Sequence, residues 1–161
     1  MRTPAAPLKL TIELVPKTCW YSNLRTQIRG SDWNRISKET RAAGVCAICG
    51  AAGVRLSCHE RWEYDDDGGG IQRLVGFVAL CDACHGVKHI GRVGRLATED
   101  PQYVRLLQDA IEHFTRVNGV DVETFNAHKT ESFALWRQRS AREWTTDLGA
   151  YAAMVRPVSS Q

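Results

Sequence analysis

Residues 81 to 89, CDACHGVKH, place two cysteines, two histidines and a lysine within one short segment. Cys81 and Cys84 have the Cys-x-x-Cys spacing that lets two thiolates bind one metal ion. His85 and His89 are four residues apart, so they lie on one face if residues from about 82 to 90 are helical. Imidazoles at that spacing chelate one divalent ion. The segment therefore combines ligands for a structural ion with ligands for an ion that does chemistry.

A second Cys-x-x-Cys pair, Cys46 and Cys49, precedes this segment. Two such pairs complete the four-thiolate tetrahedral shell that zinc prefers, so the spacing predicts a structural Zn2+ site. Gly50 follows the first pair, and we expect it in a tight knuckle where backbone amides point at the sulfurs. The alternative is that the cysteines are buried free thiols.

The composition favours a metal over disulfides. The 161 residues are 43% hydrophobic and carry a net charge of +3, which permits nucleic-acid contact without arguing for it alone. We find neither a signal peptide nor an apolar run near the roughly 18 residues that a membrane span needs. We therefore expect a cytoplasmic protein with no membrane partner, where six cysteines are unlikely to form a disulfide framework.

Two β-rich runs come between the cysteine pairs, and they must position the histidine ligands. Residues 54 to 63 alternate so that Val54, Leu56, Cys58 and Trp62 share one face, and residues 71 to 80 form the second run. The polar, glycine-rich YDDDGGG between them predicts a hairpin turn. His59 lies on the first predicted strand. The expected order is strand, loop, strand, helix.

The flanking segments predict one more strand and three more helices. A strand is expected over residues 10 to 15, and a helix capped by Ser31 and Asp32 is expected to stop at Gly44. Two amphipathic helices follow, one starting at Pro101 and one running from Asp121 to about 144. Their predicted packing residues are Val104, Leu107, Ile111, Phe114, Val117, Val122, Phe125, Phe133, Trp136 and Trp144. We interpret Cys19 as buried, and His113 and His128 as ordinary hydrogen-bonding residues.

These elements predict an α+β fold forming one compact domain. It consists of an N-terminal strand and helix over 1–45, a zinc-bound unit over 46–91, and a helical extension over 92–161.

The string CHERWEYDDDGGGIQRLVGFVALCDACHGVKHIG, with Cys46-x-x-Cys49 before it, resembles the HNH endonuclease family, and in particular a subgroup of bacterial and phage HNH-like proteins. That family has a ββα-metal motif that is often built on a four-cysteine zinc site. The match covers about residues 46 to 91. The resemblance implies a metal-dependent enzyme that hydrolyses phosphodiester bonds in nucleic acid, with DNA as the expected partner.

The resemblance also implies roles for individual residues. His59 matches the general base, and His85 and His89 match ligands of a catalytic divalent ion, which would be Mg2+, Mn2+, Ni2+ or Zn2+. Lys88, with Arg92 and Arg95, would contact backbone phosphates.

The chain departs from the family pattern at two positions. Cys58 stands where a hard ligand commonly precedes the base, so it is either a soft ligand or a core residue. The family's middle Asn should fall near Gly76. Gln72, a carboxylate of the Asp65–Asp67 loop or Glu60 would then have to orient His59.

Two further interpretations remain open from the sequence. One is a degenerate HNH module that keeps its zinc and binds nucleic acid or a protein without cutting. The other is a closed second zinc site formed by Cys58, His59, His85 and His89.

Overall fold

The structure, a computed structural model, describes residues 6–157. Residues 1–5 and 158–161 lie outside the described range. They belong to the predicted N-terminal part over 1–45 and the predicted helical extension over 92–161. The helices of the structure are α1 (Gly30–Thr40), α2 (Asp82–Lys88), α3 (Ile90–Glu99), α4 (Gln102–Asn118) and α5 (Val122–Ser140). Its strands are β1 (Leu56–Tyr64), β2 (Ile71–Cys81) and β3 (Thr145–Asp147). Short 3-10 helices cover Lys17–Cys19, Leu24–Thr26 and Gly149–Met154. The α+β class predicted from the sequence is confirmed.

The predicted hairpin is present and leads directly into α2. β1 and β2 are antiparallel, and β3, which the sequence did not predict, pairs parallel to β2. The strand order β1-β2-β3 leaves β1 at one edge of this sheet. The register of β1 against β2 shifts after Arg61, opposite Gly76, whose φ is 145°. Glycine suits this bulge because side chains disfavour a positive φ.

Two apolar clusters cover the two faces of the hairpin. One cluster surrounds Leu80 and Val87 and is completed by Phe114 of α4 and Phe125 of α5. The other surrounds Leu74 and joins α1 to the C-terminal 3-10 helix. Neighbouring residues of a strand point to opposite faces. The first cluster therefore packs against the face that carries His59, and the second packs against the face that carries Cys58. His59 and Cys81 thus lie on a sheet that is supported from both sides.

The strand predicted over residues 10–15 is wrong. The segment pairs with no strand among the described residues, and side chains of the C-terminal helices satisfy its backbone. Asn118 Oδ1 accepts from the N–H groups of Lys9 and Leu10, and His128 Nε2 accepts from Ile12 N–H at 2.9 Å. The alternating pattern was real, but its apolar residues pack on helices instead of joining the sheet.

The predicted helices are largely confirmed, with changes at their ends. The first ends at Thr40, before Gly44, and begins at Gly30, so Ser31 and Asp32 lie inside it. Asp121 caps α5 by accepting from Thr124 N–H, but that helix ends at Ser140. Trp144 therefore lies beyond the helix, next to β3.

The prediction that Val104 and Val122 are packing residues is wrong, because both are exposed. Each lies in the first turn of its helix, before the helix reaches the core. The sequence did not predict α3. None of the described helices is both long and apolar enough to cross a bilayer.

Candidate functional site

The four cysteines of the two Cys-x-x-Cys pairs converge at the end of the hairpin. Cys46 and Cys49 lie on a knuckle closed by the Gly50 N–H, which donates to Cys46 O, and Gly50 has the expected positive φ of 74°. Ala47 N–H donates to Ala79 O, which attaches the knuckle to β2. Cys81 ends β2 and caps α2, and its Sγ accepts from Cys84 N–H.

The sulfur positions suit a tetrahedral zinc ion. The Sγ atoms of Cys49 and Cys81 are 3.6 Å apart. Zn–S bonds of about 2.3 Å in a tetrahedron separate the sulfurs by about 3.8 Å. All four cysteines are free thiols. The donor set therefore fits the predicted structural zinc.

Cys81 and Cys84 do not ionise easily without a cation. Burial disfavours the Cys46 thiolate, but N–H groups of Cys49, Cys81 and Ile48 outweigh it and lower the pKa of Cys46 to about 6. Burial, followed by the neighbouring cysteines, raises the pKa of Cys84 above its ordinary value, and burial does the same to Cys81. A bound divalent ion would supply the charge that makes these thiolates stable.

The three predicted site histidines form a second cluster. His59 of β1, His85 of α2 and His89, which caps the end of α2, have ligand nitrogens within 4.8 Å of one another. The ring centroids of His85 and His89 are 4.6 Å apart, and those of His59 and His89 are 5.2 Å apart. The helix predicted over about residues 82 to 90 thus ends at Lys88, yet both of its histidines still face the strand.

The two helix-side histidines are neutral near pH 7. Burial, reinforced by the charges of His85 and His59, lowers the pKa of His89 to about 4. Burial and then the charge of His59 lower the pKa of His85 below its ordinary value. A neutral imidazole has the free lone pair that a metal ion needs. Both side chains are therefore in the ligand form.

Glu13 orients His59, and the sequence did not predict this contact. Glu13 Oε2 lies 2.9 Å from His59 Nε2, and Glu13 Oε1 accepts from Lys88 Nζ at 2.6 Å. Burial opposes the charge on Glu13, but the His59 and Lys88 contacts outweigh it and lower the pKa of Glu13 to about 2. A carboxylate on one imidazole nitrogen fixes the orientation of the ring and leaves the lone pair of the other nitrogen free. His59 Nδ1 is that other nitrogen.

The side chains proposed to orient His59 do not contact it, and most of them have other partners. Gln72 is bonded to Tyr64 and Thr146, and Asp66 forms an ion pair with Arg139. Glu60 accepts from Arg25 N–H and from Trp62 Nε1–H. The reason is geometric, because Glu60 follows His59 on a strand and so points to the other face.

Cys58 is not part of the histidine cluster. It packs with the apolar cluster around Leu74, on the face opposite His59. Cys58 therefore lies where a core residue would lie, and it is not placed to act as a soft metal ligand. The closed site that includes Cys58 loses its fourth ligand for the same reason.

Of the three predicted phosphate contacts, the structure contradicts that of Lys88, and those of Arg92 and Arg95 stay predictions. Lys88 is buried, and its Nζ donates to Glu13 and to Thr11 Oγ1, so it is not exposed to a ligand. Arg95 pairs with Glu99 of its own helix, and Arg92 is exposed on α3. The i, i+4 spacing of α3 explains the Arg95 pair.

A groove of about 1690 Å³ runs along β1 and contains the histidine cluster. It is lined by Leu56, Ser57, Cys58, His59 and Glu60 in succession, as expected at the open edge of a strand. Arg25, Arg41 and Arg55 line the groove on exposed positions, and none of the described ion pairs includes them. The Arg25 guanidinium lies 5.7 Å from the Trp33 ring centroid. None of these three arginines was predicted as a phosphate contact, and Arg25 and Arg41 lie outside the range of the resemblance.

Sequence analysis missed Glu13, Arg25, Arg41 and Arg55 as site residues. Glu13 did carry a signal, as a single acidic residue within the apolar run LTIELV. An isolated charge in such a run needs a buried partner, and here it has two.

Comparison with known proteins gives no relative: no family model, no curated protein and no solved structure matches this chain. The fold and the site define an α+β protein with a four-cysteine cluster and a three-histidine cluster that are adjacent in sequence at Cys84 and His85. Any assignment of function therefore depends on the residues and their geometry.

Proposed function

We propose that this protein is a metal-dependent endonuclease of the HNH type that hydrolyses phosphodiester bonds in DNA, with a structural zinc held by Cys46, Cys49, Cys81 and Cys84. One observation carries the proposal. His59, already held by the Glu13 carboxylate, faces two neutral histidines at the end of the next helix, inside an open groove. The strand, strand and helix order of the resemblance supports the same assignment.

His85 and His89 would hold the catalytic divalent ion. Their neutral imidazoles are borderline ligands that suit Mn2+, Ni2+ or Zn2+ better than Mg2+. When bound, the ion supplies Lewis-acid stabilisation of the charge that develops on the phosphate oxygens and on the leaving group. The two histidines bind the ion, and the four-cysteine cluster fixes the start of the helix that presents them.

His59 would act as the general base. Its Nε2 is occupied by Glu13, so Nδ1 is the nitrogen that takes a proton from the attacking water. Glu13 stabilises the imidazolium that results and fixes the ring orientation. Lys88 keeps Glu13 in place and ionised. The chain of contacts from Lys88 to His59 thus gives the base a fixed geometry before any substrate binds.

Arg25, Arg41 and Arg55 would contact the DNA backbone. Glu13, Glu60 and Glu63 also line the groove. Glu13 is neutralised by Lys88 and Glu60 is engaged with Arg25 N–H and Trp62, which leaves the three arginines against the single exposed charge of Glu63. The remaining arginine charge favours a polyanion.

Gly76 favours a second candidate function. Asn is expected near this position in the family, and here the backbone requires glycine. If cleavage requires that Asn, the protein is instead a zinc-stabilised module that binds nucleic acid or a protein partner without cutting it.

A plasmid-nicking assay with Mn2+, Ni2+, Zn2+ or Mg2+ separates these functions. We expect nicking by the wild type, its loss in His59→Ala, and partial recovery of His59→Ala with added imidazole, which replaces the missing base. Cys58→Ser is the matched control, because it changes the adjacent residue on the opposite face and should keep activity. Nicking that survives His59→Ala would exclude His59 as the base. Binding without cleavage under every metal would favour the second function.

A further inference from the structure

His113 of α4 contacts the most buried of the four cysteines. Its Nε2 lies 3.1 Å from Cys84 Sγ, and its Nδ1 lies 2.9 Å from an Arg116 guanidinium nitrogen. We infer that His113 is a positioning residue of the structural zinc site, which donates an N–H···S hydrogen bond to the Cys84 thiolate in a tautomer fixed by Arg116. This inference rests on the zinc site of the proposed function.

The direction of the hydrogen bonds follows from Arg116. A guanidinium has donors and no acceptor, so His113 Nδ1 must accept, and it must carry a lone pair. The imidazole proton is then on Nε2. Since Nε2 faces Cys84 Sγ, the sulfur is the acceptor. A charged sulfur accepts such a bond more strongly than a neutral thiol, so the contact favours the metal-binding form.

Burial makes this contact necessary. Cys84 has no exposed surface and His113 is 7% exposed, so water does not replace the N–H donor. The other two buried cysteines have backbone donors: Cys46 has N–H groups of the knuckle, and Cys81 has Cys84 N–H. His113 of α4 thus gives Cys84 the N–H donor that the backbone gives to Cys46 and Cys81.

The contact also connects the helical extension to the metal. A hydrogen bond stabilises the negative charge on the sulfur, so it opposes the protonation that releases zinc, and it makes the sulfur less nucleophilic, so it slows attack on Cys84 by electrophiles. Outer partners of metal ligands typically change metal affinity by about 10- to 100-fold. His113 should therefore hold zinc in the site as well as pack α4 against α2.

Four variants test this inference in zinc-loaded protein. His113→Phe keeps the ring and removes the donor, His113→Gln keeps a donor, and Arg116→Met removes the tautomer restraint at an exposed position. Arg105→Met is the control, an exposed arginine of the same helix far from the cysteines along the chain. The measurements are zinc transfer to a colorimetric chelator, iodoacetamide labelling of Cys84 located by mass spectrometry, and the thiolate-to-metal charge-transfer band after cobalt substitution.

We expect zinc transfer and Cys84 labelling to be about 10- to 100-fold faster in His113→Phe. Arg116→Met should show a smaller increase, His113→Gln partial rescue, and Arg105→Met no change. The cobalt band should move to lower energy without the donor. Suppose that all variants bind zinc and show equal rates of zinc transfer and Cys84 labelling and the same cobalt charge-transfer energy. That result would overturn the role of His113 and leave the zinc site itself standing. A wild type that binds no zinc would overturn that role together with the zinc site, whatever its nicking activity.

Discussion

Glu13 Oε2 lies 2.9 Å from Nε2 of His59, although the two residues are far apart in sequence and Glu13 belongs to no helix or strand. The proposed base is therefore oriented by a segment outside the hairpin and helix. Glu13 thus has the orienting role that was predicted for Gln72, Glu60 or a carboxylate of the Asp65–Asp67 loop.

Glu13→Gln should slow nicking by about 10- to 100-fold, because the amide keeps the shape but loses the charge that stabilises a protonated His59. The effect should fall on kcat with little change in KM, since Glu13 does not contact substrate in the proposed mechanism. Thr11→Val is the matched control: it removes a partner of Lys88 on the same segment and leaves the Glu13 contact intact. A wild-type kcat in Glu13→Gln would contradict the assigned role.

Cys49→Ser should abolish tight zinc binding and most of the folded population. Zinc contributes about 10–16 kcal/mol in small four-ligand sites, which equals or exceeds the stability of an ordinary domain of about 5–15 kcal/mol. Metal analysis should find one tightly held zinc in the wild type. Cys19→Ala changes a buried cysteine outside the cluster and should keep that zinc. Retention of zinc and of cooperative thermal unfolding by Cys49→Ser would argue against the site.

Gly76→Asn should lower the free energy of unfolding by about 1–3 kcal/mol and should not raise nicking activity. The substitution introduces the residue that the family resemblance leads one to expect, but φ at this bulge is 145°, which an Asn side chain disfavours. Urea denaturation measures the change. Gly94→Ala in α3 is the control: no atom lies near its added Cβ, and a helical alanine should stabilise by up to about 1 kcal/mol. Higher activity in Gly76→Asn would show that the bulge is dispensable.

Arg41→Gln and Arg55→Gln should each weaken DNA binding without regard to sequence. Each lost phosphate contact should reduce the slope of log K against log salt by about 0.9. Binding isotherms at several salt concentrations measure this slope. Arg105→Gln removes an exposed arginine of α4 outside the groove and should leave the slope unchanged. An equal effect of all three substitutions would indicate general surface charge instead of a defined groove.

The local parts of the site could be predicted from the sequence. Ligand spacing identified both clusters, and alternation with glycine-rich turns identified β1 and β2, because these signals depend on nearby residues. The apolar run over 10–15 was misread because an extended segment packed on helices has the same alternation as a strand. Glu13 and His113 were missed as site residues because their partners depend on how distant elements pack, which no local pattern encodes.

The attachment of the Glu13 segment has a consequence for the order in which the site is completed during synthesis. Ile12 N–H, next to Glu13, is held by His128, 116 residues further along the chain, and Asn118 holds Lys9 and Leu10. A ribosome finishes the hairpin and α2 well before it reaches these helices. The nascent chain can therefore assemble its cysteine cluster and pair Glu13 with Lys88 early, while the backbone of residues 9–12 gains its partners only after Asn118 and His128 have emerged from the exit tunnel.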